Sequence, residues 1–176
     1  RSLEIGVFHL WMAKFDSYTK EQLVDYLKDF HDDGIFVVAR LMRMGMSVEE
    51  LFKITAITPW FLEEIKKIID FEKVIENNKG DVATLYKAKK MGFSDDFIAQ
   101  LWETTGKAVY EMRVENDMFP VYKMIDTCAA EFDGYIPYLY STYESENESI
   151  VSDKKKIAVL GSGPIRIGQG VEFDYS

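Results

Sequence analysis

The residues best suited to chemistry lie near the end of the sequence, in a loop rich in glycine. Residues 157–160 are apolar and predict a short strand, and four glycines follow it: Gly161, Gly163, Gly168 and Gly170. A strand that runs into such a loop exposes several backbone N–H groups, which can hold an anion. Arg166 lies in the same loop, and its guanidinium suits phosphate or carboxylate. The loop therefore fits contact with an anion, although the glycines also fit a tight turn without any ligand.

Dinucleotide binding is a third interpretation of this loop, and the sequence departs from its pattern. The fingerprint needs glycine at the first, third and sixth positions after the strand. Gly161 and Gly163 satisfy the first two positions, but Arg166 occupies the sixth. A nicotinamide-binding protein is therefore the weakest of the three interpretations.

The other titratable candidates are isolated from one another. His9, His31 and Cys128 show no spacing typical of metal ligands, so the sequence predicts no metal site. Asp126 and Glu131 lie in a segment that we expect to be extended. A catalytic carboxylate pair is conceivable there, but hydrogen bonding between segments is the simpler role. No catalytic residue is predicted.

Two further groups of residues also favour structural roles. Ser141 lacks the Gly-x-Ser-x-Gly context that makes a serine a nucleophile. Trp60, Phe61 and Trp102 lie on predicted apolar helix faces, where we expect them to pack in a core rather than stack on a ligand.

Composition limits the possible partners. The 176 residues are 47% hydrophobic, which is ample for a packed core, and they carry a net charge of −9. Excess carboxylates repel a phosphate backbone, so nucleic acid is not an expected partner. The single cysteine fits a reducing cytoplasm. No secretory signal is visible, and no apolar run approaches the ~20 residues of a membrane helix, so no membrane partner is expected.

Start and stop signals predict a series of short helices between Thr19 and about Asn116. Thr19 with Gln22 and Ser47 with Glu50 match the capping-box pattern. Further helix starts are predicted at Thr58, Asp81, Ser94 and Thr105, and stops at Gly45 and Gly92. The helix after Thr58 is predicted to be the longest, with Phe61, Ile65, Ile68 and Ile69 on one face. Short linkers then force neighbouring helices to pack into a compact α-helical block.

The character of the sequence changes at Pro120. Residues 120–144 are rich in β-branched and aromatic residues and are interrupted by Gly134 and Pro137, so they predict extended segments and loops. Residues 144–156 are polar and charged, as in a linker, which predicts a domain boundary near Ser152.

Three stretches in this order and spacing, "VYKMIDTCAAEF", "PYLYSTYE" and "IAVLGSGPIRIGQGVEFDYS", resemble the large subunit of carbamoyl-phosphate synthase. "RMGMSVEEL", "WFLEEI" and "GFSDDFIA" are similar, more loosely, to the helical oligomerisation domain of that family. The resemblance implies a mainly α fold followed by the first strand and glycine loop of a pre-ATP-grasp, Rossmann-like domain. It divides the chain into the end of the first synthetase half (1–18), the oligomerisation domain with its extended segment (19–152) and the start of the second half (153–176).

The resemblance also implies a function for the parent enzyme. That ligase makes carbamoyl phosphate from bicarbonate, glutamine-derived ammonia and two molecules of ATP, with Mg²⁺ or Mn²⁺, and works with a glutaminase small subunit. Arg166 and Gly170 would line the tunnel that carries carbamate, and Gly161, Gly163 and Gly168 would shape the glycine loop. The chain itself would bridge the halves and self-associate, without cofactor or activity. Whether the parent serves arginine or pyrimidine biosynthesis stays open, and a free-standing helical interaction module is the alternative.

Overall fold

The computed structural model describes residues 10–29, 31–125, 131 and 139–158. Within them the chain forms seven α-helices, one 3-10 turn at Ala13–Phe15 and two short strands. The helices are α1 (Lys20–Tyr26), α2 (Gly34–Arg43), α3 (Val48–Thr55), α4 (Pro59–Asn77), α5 (Val82–Lys90), α6 (Asp95–Trp102) and α7 (Gly106–Glu115). The strands are β1 (Val121–Met124) and β2 (Leu139–Thr142). The predicted mainly α fold is confirmed.

The predicted start signals are confirmed at five helices. The side chains of Thr19 and Ser47 accept hydrogen bonds from the backbone N–H groups of Gln22 and Glu50, and both capping boxes are complete. Three single caps start α5, α6 and α7, from Asp81, Ser94 and Thr105. Because each bond satisfies an N–H group that has no partner within its own helix, these helix starts are fixed locally.

Helix α4 starts differently from the prediction. Thr58 occupies the N-cap position, but its side chain makes no capping hydrogen bond. Its backbone carbonyl accepts a hydrogen bond from the N–H of Phe61 at 3.0 Å instead. Pro59 then occupies the first helical position, where its missing N–H removes a donor that would need a partner.

Two hydrophobic cores share helix α4. The first core lies between α1, α2, α3 and the first half of α4, and its fully buried residues include Leu23, Leu41, Leu51 and Leu62. The second core lies between the end of α4 and α5, α6 and α7, and its fully buried residues include Ile75, Leu85, Phe93, Ile98 and Val109. Ile68 packs against both cores, so α4 joins them.

An ion pair fixes α2 against α4 beside the first core. Arg43 donates from Nε to Glu72 Oε2 at 2.8 Å and from Nη2 to Glu72 Oε1 at 2.7 Å. Its Nη1 donates to the carbonyl of Leu10 at 2.9 Å, which holds the segment before the helices in place. Both side chains of the pair are mostly buried. Fork-to-fork pairing of this kind sets orientation as well as distance.

The two strands form an antiparallel pair beyond the helices. Tyr122 lies opposite Ser141, and Met124 lies opposite Leu139. Tyr143, directly after β2, is buried in the second core. The strand pair is thus joined to the helical block at this end.

A buried ionic cluster makes that junction. Arg113, on α7, donates from Nε and Nη2 to Asp95 Oδ2 at 3.0 Å and 2.5 Å. Lys89 donates from Nζ to Asp95 Oδ1 at 2.7 Å, and its side chain is only 1% exposed. Arg113 Nη1 donates to the hydroxyl oxygen of Tyr143 at 2.9 Å and to the carbonyl of Met118 at 3.2 Å. The Asp95 carboxylate therefore holds α5, α6 and α7 together, and Arg113 extends the contact to the strand pair.

The charge of Asp95 depends on its two partners. Burial works to raise the pKa of the Asp95 carboxyl, but hydrogen bonds from Arg113 and Lys89 outweigh it and hold that pKa below its ordinary value. A carboxyl whose pKa is lower in the folded state than in the unfolded state adds stability above the unfolded pKa. This contribution is lost as the pH falls through the folded pKa.

We expect Asp95→Asn to lower the free energy of unfolding by about 3 kcal/mol at pH 7, because it leaves two buried cations without their counter-ion. The difference between the wild type and the variant should begin to shrink as the pH falls below about 4, where the carboxyl of the unfolded chain takes up a proton. It should be lost only as the pH falls through the lower pKa of the folded carboxyl. Urea unfolding followed by circular dichroism measures both effects.

Asp96→Asn is the matched control, because Asp96 is the next residue of the first turn of α6 and is exposed. It should change the free energy of unfolding by no more than about 0.5 kcal/mol. Equal losses for both variants would show that the effect comes from the helix dipole rather than from the cluster.

Candidate functional site

The loop residues singled out in the sequence lie outside the described residues. Gly161, Gly163, Arg166, Gly168 and Gly170 all belong to the range 159–176, as does half of the predicted strand over residues 157–160. Anion contact, a tight turn and the tunnel assignment therefore stay predictions.

The isolated polar candidates do not form a site in the part of the chain that the structure describes. His9, Asp126 and Cys128 lie outside it. His31 stacks on the ring of Tyr26, with centroids 4.1 Å apart. Ser141 lies on β2 opposite Tyr122. Within residues 10–29, 31–125, 131 and 139–158, no group of three His, Cys, Asp or Glu side chains is arranged to hold a metal ion.

The prediction that aromatic residues pack in the core is right for one tryptophan and wrong for the other. Trp102 is buried, and its Nε1 donates to the carbonyl of Ile75 at 2.8 Å. Trp60 and Phe61 are 60% and 56% exposed. The buried face of α4 follows Leu62 and Ile69, so Phe61, which the sequence placed on the buried face, lies one position away from it.

A groove between α1, α2, α3 and the start of α4 is the main candidate site. Its volume is about 650 Å³. Its apolar lining consists of Leu27, Ile35, Val38, Ile54, Ile57, Phe61, Ile65 and Ile68. Lys28, Asp29, His31 and Glu64 form a polar rim. Apolar grooves with a polar rim are typical of binding surfaces.

Exposed aromatic side chains extend this groove over the surface. The rings of Trp60 and Phe61 meet edge to face, with centroids 4.9 Å apart. Ile57, in the linker that follows α3, lines the groove and is also exposed. We call this set, together with the groove lining, the α1–α4 groove surface. Its chemistry is that of a protein contact, since it presents large apolar rings and few charges.

Polar contacts fix the α1–α2 linker at the edge of the groove. Asp33 pairs with Lys14 and accepts a hydrogen bond from the hydroxyl of Tyr26 at 2.8 Å. Burial works to raise the pKa of the Asp33 carboxyl, but the hydrogen bonds from Lys14 and Tyr26 outweigh it and lower that pKa. His31 stacks on the same tyrosine, so His31 and Asp33 both contact α1 through Tyr26.

Sequence reasoning missed the groove surface and the buried ionic cluster. The start of α4 carried a signal, because "PWF" places two large aromatic rings in the first turn of a helix, before its buried face begins. Arg113 also carried one, since it lies four residues after the buried Val109 and so shares its helix face. A charge on an apolar face needs a buried partner.

The length and polarity of the described helices bear on whether the chain could enter a membrane. Among the helices described, none is both long enough and apolar enough to cross a lipid bilayer. Within the described residues the candidate site is one apolar surface.

Comparison with known protein families gives two matches. The family described as "Carbamoyl-phosphate synthetase large chain, oligomerisation domain" matches residues 1–117, more than half of the chain. This range includes all seven helices of the described residues and the α1–α4 groove surface. The family described as "Carbamoyl phosphate synthase preATP-grasp domain" matches residues 153–176, which contain the glycine loop.

Proposed function

Because the chain belongs to the carbamoyl-phosphate synthetase large-chain family, we propose that it joins the two synthetase halves of that enzyme and self-associates through the α1–α4 groove surface. The two matches confirm the resemblance noted in the sequence. They follow one another in the order that this bridging role needs, with the oligomerisation domain before the pre-ATP-grasp domain.

The observation that carries the proposed self-association is the exposure of Trp60 and Phe61 beside an apolar groove, in a segment that matches an oligomerisation domain. Exposed apolar patches are unfavourable in water, so they often mark sites of protein contact. Aromatic side chains contribute much of the binding free energy at protein interfaces. The occupant that we propose is a second copy of the chain.

A two-fold pairing suits this surface. In such a pairing the same patch faces itself, so a projection and a groove on one copy meet the groove and the projection of the other. The α1–α4 groove surface has both parts, since the exposed ring of Trp60 adjoins the groove. The charged side chains of Lys28 and Glu64 line the groove and are exposed, so water can still reach them.

The proposed role of the parent enzyme is the synthesis of carbamoyl phosphate from bicarbonate, glutamine-derived ammonia and ATP with Mg²⁺, together with a glutaminase small subunit. Support comes from the match of residues 153–176 to the pre-ATP-grasp domain of that family. We propose that Arg166 and Gly170 line its carbamate tunnel. An arginine can steer a small anion, and a glycine leaves the passage open because it has no side chain.

We expect Trp60→Gln combined with Phe61→Gln to weaken self-association at least about ten-fold, which corresponds to about 1.4 kcal/mol. The reason is the loss of two exposed aromatic rings from the interface. Sedimentation equilibrium of the 176-residue chain over a wide concentration range measures the effect.

Tyr110→Gln is the matched control, because Tyr110 is 52% exposed but lies on α7, which packs on α6. It should leave self-association within about two-fold of the wild type, as most surface substitutions outside a hot spot do. A strictly monomeric wild-type chain, or equal weakening by both variants, would count against the groove.

We expect the 176-residue chain not to bind magnesium-ATP appreciably, because neither match includes an ATP-grasp domain. Isothermal titration calorimetry tests this directly. Micromolar affinity for magnesium-ATP would contradict this expectation.

We expect Gly170→Phe in the complete enzyme to reduce carbamoyl phosphate synthesis while bicarbonate-dependent ATP hydrolysis persists. The ring would block carbamate transport without reaching either ATP site. Gly170→Ala should reduce synthesis far less. If the glycine instead serves a backbone conformation with positive φ, alanine and phenylalanine should be similarly harmful and thermal stability should fall with both. Equal losses in every assay would refute the tunnel assignment.

A further inference from the structure

The strand pair has one apolar face that the described residues leave exposed. Opposite residues of an antiparallel pair project to the same side, so Tyr122, Met124, Leu139 and Ser141 share a face. Tyr122, Met124 and Leu139 are 46%, 40% and 43% exposed. We call this set the hairpin face. An isolated two-stranded pair is marginally stable in water, and an apolar face of this kind needs a partner.

The opposite face of the strand pair already has contacts. Lys123 is mostly buried there and forms ion pairs with Glu146 and Glu148 at 3.2 Å each. Val121 and Thr142 on the same face are partly buried. Tyr140 on this face is also 47% exposed, so the ion pairs of Lys123, rather than exposure alone, distinguish this face from the hairpin face.

The chain that follows β2 returns along β1. The N–H of Tyr122 donates to Asn147 Oδ1 at 3.0 Å, and the carbonyl of Tyr122 accepts from the N–H of Glu148 at 2.8 Å. The N–H of Met124 donates to Glu148 Oε2 at 2.6 Å. Residues 147 and 148 therefore lie along the edge of β1 away from β2, next to both faces of the strand pair.

This return path limits where the next domain can lie. The match to the pre-ATP-grasp domain begins at residue 153, five residues after Glu148. Five extended residues span no more than about 18 Å. Ile150 and Val151, within this span, are 88% and 78% exposed. The start of the next domain is thus tethered close to an apolar face, which gives it a high effective concentration there.

From this arrangement we propose that the hairpin face is the surface on which the following pre-ATP-grasp domain docks within the complete large chain. The proposal rests on the bridging role proposed above. It identifies Tyr122, Met124 and Leu139 as the contact residues on the helical side of the junction. The short tether favours this occupant over a second copy, which would have to reach the face from solution.

Methionine oxidation by dilute hydrogen peroxide, read by mass spectrometry, tests the proposal. Met124 and Met91 are equally exposed in this chain, at 40% and 39%, so Met91 is the internal reference. We expect the oxidation rate of Met124 relative to Met91 to fall at least about five-fold in the complete large chain compared with the 176-residue chain. An unchanged ratio would overturn the proposal.

Two variants of the complete large chain show whether the protection comes from this face. Leu139→Asp places a charge on the hairpin face and should restore the oxidation of Met124. Tyr140→Asp places the same charge on the next residue, which projects to the opposite face, and should leave Met124 protected. Protection that survives Leu139→Asp would also overturn the proposal.

The measurements separate docking of the next domain from two other outcomes. These are a second copy on the hairpin face and failure of the proposed groove interface. If a second copy covers the hairpin face, Met124 will become protected in the 176-residue chain as its concentration rises, and docking of the next domain will be refuted. If Trp60→Gln with Phe61→Gln leaves self-association unchanged, the proposed groove fails while the Met124 ratio still decides the docking. If the groove does mediate self-association but Met124 stays unprotected in the complete large chain, only the docking proposal is overturned.

Discussion

Helix α4 forms a wall of both hydrophobic cores, and the arrangement of the other elements depends on this double contact. A helix of 19 residues is about 28 Å long, which is enough for Leu62 to lie in the first core and Ile75 in the second. Trp102 donates its indole N–H to the carbonyl of Ile75 and so satisfies an acceptor near the end of α4. The groove at one end of α4 and the helices at its other end therefore keep a fixed position relative to each other.

Buried ion pairs fix the packing at two places, between α2 and α4 and among α5, α6 and α7. Arg43 and Glu72 fix α2 on α4, and Asp95 with its two cations fixes α5, α6 and α7 together. Apolar packing tolerates small shifts, whereas a buried charge that loses its partner is strongly unfavourable. We infer that these pairs select one packing of the helices. The same reasoning explains why Tyr143, which accepts from Arg113, can hold the strand pair on the helical block.

Local signals predicted the helices well because the relevant contacts span only three or four residues. Thr19, Ser47 and Ser94 each cap through a backbone N–H three positions ahead, so the sequence alone contains both partners. The groove and the ionic cluster depend on contacts that local patterns do not specify. Asp95 meets Arg113 across 18 positions of sequence, and the exposure of Trp60 depends on how α4 rotates against the cores. The glycine loop lies outside the described residues, so what the sequence predicts for it stays a prediction.

The return of residues 147 and 148 along β1 has a consequence for solubility. A strand at the edge of a sheet offers unpaired N–H and C=O groups, on which strands from other molecules can assemble into fibrillar aggregates. In this chain the amides of Tyr122 and Met124 and the carbonyl of Tyr122 are already bonded to Asn147 and Glu148. Glu148 also brings a negative charge to that edge, as gatekeeper residues do beside aggregation-prone segments. A nascent large chain whose later domains are still being synthesised would thus carry its exposed apolar hairpin with one edge already blocked against polymerisation.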